Sequence, residues 1–319
     1  MSTYQYPGTS CRHLYVAPSR RLGRSLGVDL VPHKVCSFDC IYCQLGRTTE
    51  LSVTRRPGPP VELLVLEVQE ALARGPRPDF LTISGSGEPT LYEPLDELIA
   101  ALGRVFRPLA VLTNGSMLRQ REVRDALRGA DVVLPSLDAA DEDLFQHVNR
   151  PHPDLSLASL VEGLAAFRRE FRGAIWLEIT MLGGVTAIPA QAVRLAELAS
   201  EVGPDRIHLN TVVRPPAEAS ALPAPGNDLE VLSSLFQPAA EVIGEAQIPK
   251  HIETVAVSAG AMMSILRRRP CTVGDLATAL NAPSPAVIKT LQTLLRRRAV
   301  RVRVCDRQVF YSVDEGVSV

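Results

Sequence analysis

Val28-Asp29-Leu30-Val31-Pro32-His33-Lys34-Val35-Cys36-Ser37-Phe38-Asp39-Cys40-Ile41-Tyr42-Cys43 is the stretch on which the reading of this chain turns. Its apolar first half, residues 28–32, has the length and composition of a buried strand. It runs into three cysteines set four and three residues apart. Three thiolates this close wrap one metal centre but supply only three ligands. A structural zinc site takes four, usually with a second cysteine pair. A cubane iron–sulfur cluster has four irons, so three cysteines leave one iron open to something other than protein. The alternative is three inert cysteines that cluster by chance, and the rest of the chain decides between them.

Outward from this loop, short apolar runs alternate with amphipathic stretches. Residues 80–84, 109–112, 131–134, 174–181 and 207–212 read as five further strands. Residues 60–73, 95–102, 119–128, 157–171 and 189–202 carry helical periodicity, with Asp154 or Ser156 placed to cap the fourth. Six strands separated by helices predict an α/β protein with a parallel sheet curled into a partial (βα)6 barrel, open where an eight-stranded one would close. Residues 1–27, rich in Arg, Gly, Ser and Pro, read as an irregular surface arm whose Arg20, Arg21 and Arg24 either touch an anionic group or, the favoured reading, are solvated. Residues 215–227 are a Pro/Ala-rich connection, followed by a helix over 229–236 and an extended run over 252–257.

A boundary near Gly260 divides the barrel and its extension, 28–260, from a small module, 261–319. There the pattern predicts helices over 262–268 and 272–280, the second opened by a capping box of Thr272 and Asp275. A third helix runs to Arg297 from a Ser284 cap with Pro285 at its first position, and residues 300–304 and 309–313 form a hairpin. This order resembles a winged helix-turn-helix.

Parallel βα proteins build their sites at the carboxyl ends of strands. The polar residues fall there: the cysteine loop after the first strand, Ser84-Gly85-Ser86-Gly87-Glu88-Pro89-Thr90 after the second, Thr113-Asn114 after the third, Ser136 and Asp138 after the fourth. Glu178 and Thr180 share one face of the fifth strand, and His208 and Asn210 one face of the sixth. Polar groups at strand after strand argue for a site and against chance.

The cysteine spacing, with Tyr42 directly before Cys43, resembles the signature of the radical S-adenosylmethionine (SAM) superfamily. Gly85-Ser86-Gly87-Glu88 resembles the glycine–glycine–glutamate motif that holds the methionyl amino group of SAM in that superfamily. The likeness covers roughly residues 20–216, and 28–36 with 87–91 bring it nearest to Fe–S oxidoreductases grouped with wyosine-base synthases and nitrogenase-cofactor maturases. It implies a 4Fe–4S cluster on Cys36, Cys40 and Cys43, with SAM on the open iron. Reductive cleavage then yields a 5′-deoxyadenosyl radical that abstracts hydrogen from an RNA base, a peptide or a small metabolite. It implies Gly85, Gly87 and Glu88 at the SAM amino group, Tyr42 beside the adenine, Asn114 among the SAM contacts, and Ser136 and Asp138, with Asn210 or Glu178, toward the ribose. A reducing partner such as flavodoxin or ferredoxin follows. The two named relatives carry additional cysteine ligands. Here only Cys11, Cys271 and Cys305 remain, with no pair at ligand spacing, so one cluster is expected.

Apolar residues make up 46% of the 319-residue chain and charged ones 22%, as in an ordinary globular protein. No apolar run reaches the length of a membrane span, and the first residues lack the basic and apolar regions of a secretory signal. Clustered cysteines without a disulfide pattern fit a reducing, cytoplasmic setting. Net charge is −1, yet from Met262 onward ten Lys and Arg face four Asp and Glu. Such a basic module would grip nucleic acid, or meet a protein or peptide, or serve structure alone. A function of a different class would be a non-catalytic regulator that holds a cluster on the same cysteines and nucleic acid on the tail.

Overall fold

The computed structural model describes residues 13–243, 257–280, 282–305 and 308–313. The chain opens with strands β1 (Leu14–Ser19) and β2 (Gly23–Val28), paired antiparallel with Leu14 opposite Val28 and Ser19 opposite Gly23. This corrects two expectations: from residue 13 onward the arm is an ordered hairpin, and the first core strand ends at Val28 where the sequence placed its start. Glycine and arginine masked the alternation. Gly27 is needed because the Tyr15 ring lies on it, 2.2 Å from where a β-carbon would stand.

Short strands β3 (Val35–Cys36) and β4 (Glu50–Leu51) pair with each other on either side of the cysteine loop. The alternation then follows as expected, apart from the short added helix α4: α1 (Val61–Arg74), β5 (Phe80–Ile83), α2 (Leu95–Val105), β6 (Leu109–Thr113), α3 (Arg121–Ala126), β7 (Val132–Pro135), α4 (Glu142–Leu144), α5 (Leu157–Glu170), β8 (Ala174–Met181), α6 (Pro189–Val202) and β9 (Arg206–Thr211). Helix α5 starts where Ser156 and Ser159 close a capping box. Helix α7 (Gly226–Ser233) and strand β10 (Glu241–Val242) end the larger unit.

The main sheet has the order β1-β2-β5-β6-β7-β8-β9-β10. Its six-stranded parallel centre, β2 and β5 to β9, matches the expectation; the antiparallel β1 and the two-residue parallel β10 extend it at the two edges. The sheet is buried on both faces. On β8, Leu177, Ile179 and Met181 join the helices in the main core, while Trp176 packs with Leu22, Val132 and Leu134 on the inner face. That inner cluster gathers residues from the starts of the strands, such as Phe80, Val132 and Ala174, and leaves the carboxyl ends open.

Helices α8 (Ala259–Leu266), α9 (Val273–Ala279) and α10 (Ser284–Arg296) and the hairpin of β11 (Val300–Cys305) and β12 (Gln308–Val313) form a second core of their own. The Thr272–Asp275 capping box is present. Ser284 occupies the first turn of α10, not its cap, because Pro283 in an extended conformation already takes that position. Helices α8 and α9 pack against β1. Of the expected extended run over 252–257, all but Val257 lies outside the described residues. Among the described residues no helix is long and apolar enough to cross a membrane.

Candidate active site

The cysteine loop is held in place from both sides. Its backbone is tied to the segment after α4 by Asp39 N to Asn149 O (3.0 Å) and Ile41 N to Val148 O (3.0 Å). Ile41 is buried with Val148, Leu182 and Ala221, and Phe38 meets Phe145 edge-on at 5.3 Å. Each thiol faces an N–H donor. Lys34 Nζ lies 3.2 Å from Cys43 Sγ, Asn114 Nδ2 3.6 Å from Cys36 Sγ and Asn149 Nδ2 3.6 Å from Cys40 Sγ. Burial, then the Glu88 carboxylate, pushes the Cys36 thiol up to about 12. Burial, then Asp138, pushes Cys40 well above its ordinary value. Burial alone would lower the Lys34 ammonium, but the thiol groups of Cys43 and Cys36 hold it above its usual value.

Among the described residues no three His, Cys, Asp or Glu side chains converge as on a single metal ion. The donor set here is three sulfurs, each met by an N–H group. That suits a cluster of delocalised negative charge with one iron open, since such hydrogen bonds stabilise thiolate ligands.

The Gly-Ser-Gly-Glu loop lies across the strand that delivers Cys36. Lys34 N donates to Ser86 O (2.6 Å) and Glu88 N to Val35 O (3.1 Å). A β-carbon on Gly87 would stand 2.0 Å from Val35 O, so only glycine lets the two backbones meet. Gly85 sits at φ +138° with Asp29 Oδ1 2.3 Å from its missing β-carbon. Glu88 is 2% exposed. Its Oε1 accepts from Thr90 N, Thr90 Oγ1 and Thr113 Oγ1, and its Oε2 from Asn114 N alone (2.8 Å). Most of this carboxylate is therefore used in joining the ends of β5 and β6, and acceptor capacity remains on Oε2. Burial raises its pKa against these donors.

Asp138 joins the other side. Tyr42 Oη (2.5 Å) and Asn149 Nδ2 (3.0 Å) donate to Oδ2, and Thr180 N (2.7 Å) to Oδ1. Its carboxylate thus fastens the cysteine loop to the ends of β7 and β8, and both oxygens are occupied by protein groups. Asn114 likewise turns toward the cluster loop, donating to Ser37 Oγ at 2.8 Å.

In front of Cys43 lies a cavity of about 360 Å³. Of the residues singled out from sequence, Tyr42, Gly85, Ser136, Glu178 and Asn210 line it, with Thr180 beside them. Gly87, Glu88, Asn114 and Asp138 are not among the residues that line it. Asn210 Oδ1 is buried without a hydrogen-bond partner, an acceptor available to a bound hydroxyl. His208 is buried behind Asn210, with Nδ1 3.9 Å from Glu178 Oε1.

Sequence reading missed Lys34 and Asn149, and it missed the arginines. Arg20 and Arg21, for which the sequence favours a solvated arm over contact with an anionic group, line the cavity, as do Arg214 and, from the C-terminal unit, Arg268 and Arg269. The signal available was the Arg267-Arg268-Arg269 run, whose direction depends on how the two units dock. Arg268 Nη1 reaches Asp29 Oδ2 (2.5 Å), and Asp29 in turn accepts from Ser86 N (3.0 Å) and Ser86 Oγ (2.6 Å). Arg214 Nη2 pairs with Asp275 Oδ1 at 3.2 Å.

A mostly parallel sheet with three cysteines and a Gly-Ser-Gly-Glu loop at its carboxyl edge is a class of site, and comparison with known proteins identifies the class. A family model of the radical SAM superfamily matches residues 30–210. The UPF0026 protein of Methanocaldococcus jannaschii is 35% identical over 233 residues, 72% of each chain. The UPF0026 protein of Helicobacter pylori strain J99 is 30% identical over 92% of this chain and 94% of its own length. A Brachyspira hyodysenteriae protein named GTPase Obg is 32% identical over 93% of this chain, which spans 44% of that protein. Among solved structures, TYW1 with a bound lysine–pyruvate adduct superposes with a TM-score of 0.53 at 18% identity, over 68% of this chain and 74% of that one. A radical SAM methyltransferase from Sphaerobacter thermophilus gives 0.52 at 20% identity, over 68% and 66%. The chain belongs to the radical SAM superfamily and, within it, groups with the UPF0026 proteins. As such it is an enzyme that binds a 4Fe–4S cluster and SAM.

Proposed function

We propose that Cys36, Cys40 and Cys43 hold the cluster, and that the cavity in front of Cys43 receives SAM and the substrate from which hydrogen is abstracted. The observation that carries this is the set of three N–H donors, one on each thiol, beside a cavity that holds an unpartnered acceptor on Asn210. When bound, the cluster and SAM supply one electron to the sulfonium and a 5′-deoxyadenosyl radical. The chain's own groups orient and shield. Tyr42, fixed by Asp138, walls the adenine side; Ser136, Glu178 and Asn210 face the ribose; Glu88 Oε2 and the backbone at Gly85–Gly87 face the amino group. The likeness to proteins named dual-specificity RNA methyltransferase, 31% identical over 60% of this chain, supports an RNA base among the substrate candidates.

The C-terminal helices and hairpin support a winged helix whose exposed Lys289, Arg296, Arg297, Arg301 and Arg303 meet nucleic acid, and a flavodoxin or ferredoxin would supply the electron. The test is anaerobic reconstitution of the full chain, followed by dithionite and SAM. The expected result is 5′-deoxyadenosine from the wild type and none from Cys40→Ala, which should also lose cluster absorbance. Product from the Cys40→Ala protein would refute the assignment.

A further inference from the structure

Five guanidinium groups face the cavity in front of the cluster. Arg20 and Arg21 come from the turn of the β1–β2 hairpin, Arg214 from the segment after β9, and Arg268 and Arg269 from just beyond α8. Among the described residues lining it, Glu178 is the single carboxylate, and it pairs with Arg21. Asp29, outside the lining, takes Arg268, and Asp275, which lines the adjoining larger cavity, takes Arg214. Arg269 Nη2 and Arg214 Nε are buried without a hydrogen-bond partner.

The crowding of like charge has a visible effect. Burial, then Arg214 and Arg21, depresses Arg20 to about 10, and burial, then Arg269, depresses Arg214. Half-buried guanidinium groups are not gathered against one another without cost, and stability alone does not call for it. An anion bound among them reverses that cost. SAM brings one carboxylate, which one guanidinium can balance, so the excess is addressed to a second ligand.

The position of the excess narrows the ligand. At Arg20 and Arg214 the cavity opens into a larger one of about 860 Å³ between the barrel rim and the C-terminal hairpin, with Arg303 on its far wall. A multiply charged, three-oxygen group suits several planar forks converging from different elements better than a lone carboxylate does. We infer that the substrate carries a phosphate group, bound where the two cavities meet by Arg214 and Arg269 with Arg20 alongside, which takes this cavity to be the substrate chamber of the reaction proposed above. The phosphate orients the reacting carbon toward the cluster, and the C-terminal unit, which supplies Arg269, completes the chamber.

The experiment is calorimetric titration of the full-length, cluster-reconstituted protein at low salt. Inorganic pyrophosphate is the probe, tricarballylate the carboxylate control, and a short 5′-phosphorylated oligoribonucleotide the macromolecular arm. Pyrophosphate should saturate one site, and Arg269→Gln and Arg214→Gln should each weaken it by about tenfold or more, as expected for a lost charge-assisted bond. Arg121→Gln, on the outer surface, should leave it unchanged, with cluster absorbance reporting that every variant is folded. Competition by the oligoribonucleotide at lower concentration than pyrophosphate would assign the phosphate to RNA; weaker competition would assign it to a small ester; both support the site. No saturable binding, binding indifferent to both substitutions, or equal binding of tricarballylate would overturn it. 5′-Deoxyadenosine is assayed separately: pyrophosphate binding without SAM cleavage refutes the reaction and leaves the phosphate site, and cleavage without pyrophosphate binding does the reverse.

Discussion

Replacing Arg268 with methionine tests how the C-terminal unit reaches the SAM loop. The Arg268 and Asp29 side chains are 6% and 8% exposed, and the guanidinium also lies 4.3 Å from the centre of the Tyr15 ring. Methionine keeps the apolar stem and removes the charge. The Asp29 carboxylate is then left with the two Ser86 donors and no cation. Breaking a buried pair from one side costs about 3–5 kcal/mol, and the lost cation–π contact adds about 1 kcal/mol. At about 2–4 °C per kcal/mol the melting temperature of the full chain should fall by roughly 8–24 °C. The Asp29 carboxylate that holds Ser86 is no longer pinned by Arg268, so SAM binding measured by equilibrium dialysis should weaken with it. Adding Asp29→Asn should recover part of the loss, because no carboxylate is stranded, giving a coupling of about 1–3 kcal/mol in a double-mutant cycle. A single variant melting within about 2 °C of wild type, or a double variant that falls by the sum of the singles, would refute the reasoning.

Asn149→Ala removes the N–H that faces Cys40 Sγ and, with it, a donor to Asp138. With less stabilisation of the reduced cluster its potential should fall, which spectroelectrochemistry reads directly; an unchanged or higher potential counts against the assignment. Asp275 supplies a pH test. Burial raises its carboxyl, but Arg214, then the Thr272 N–H and Arg269, hold it below its ordinary value. A carboxyl with a depressed folded pKa stabilises fully above its unfolded value of about 3.9 and loses that contribution as pH falls through the lower folded value. Asp275→Asn should therefore cost about 1–2 kcal/mol at neutral pH, and its urea midpoint should approach that of wild type in acid. A gap that stays constant with pH would show that the charge is not what matters.

Local chemistry carried most of the barrel. The helix over 189–202 and the strand over 174–181 stand where their periodicity put them, because each buries one regular face. Ser156 and Thr272 opened the helices that their capping patterns announced. The cysteine loop and the Gly-Ser-Gly-Glu loop were legible because their spacing is itself the signal. Residues 14–28 were not, since the glycines that let Tyr15 pack on Gly27 also erase the pattern of a strand. Glu88 and Asp138 were legible as site residues but not as fasteners, because their partners at Thr113, Asn114, Asn149 and Thr180 lie on other elements. The arginines around the cavity were hidden for the same reason. Three separate segments supply them, and no local pattern tells that Arg268 and Arg269 turn toward the barrel.

Among the described residues strand β1 ends the sheet, with β2 on one side and no strand on the other. Helices α8 and α9 pack against it. A chain cut back before α8 would strip those helices from a six-residue terminal strand, whose unpaired N–H and C=O groups are a template for a second copy. The C-terminal unit is thus also a guard against edge-to-edge association, and the isolated barrel should be the more aggregation-prone piece.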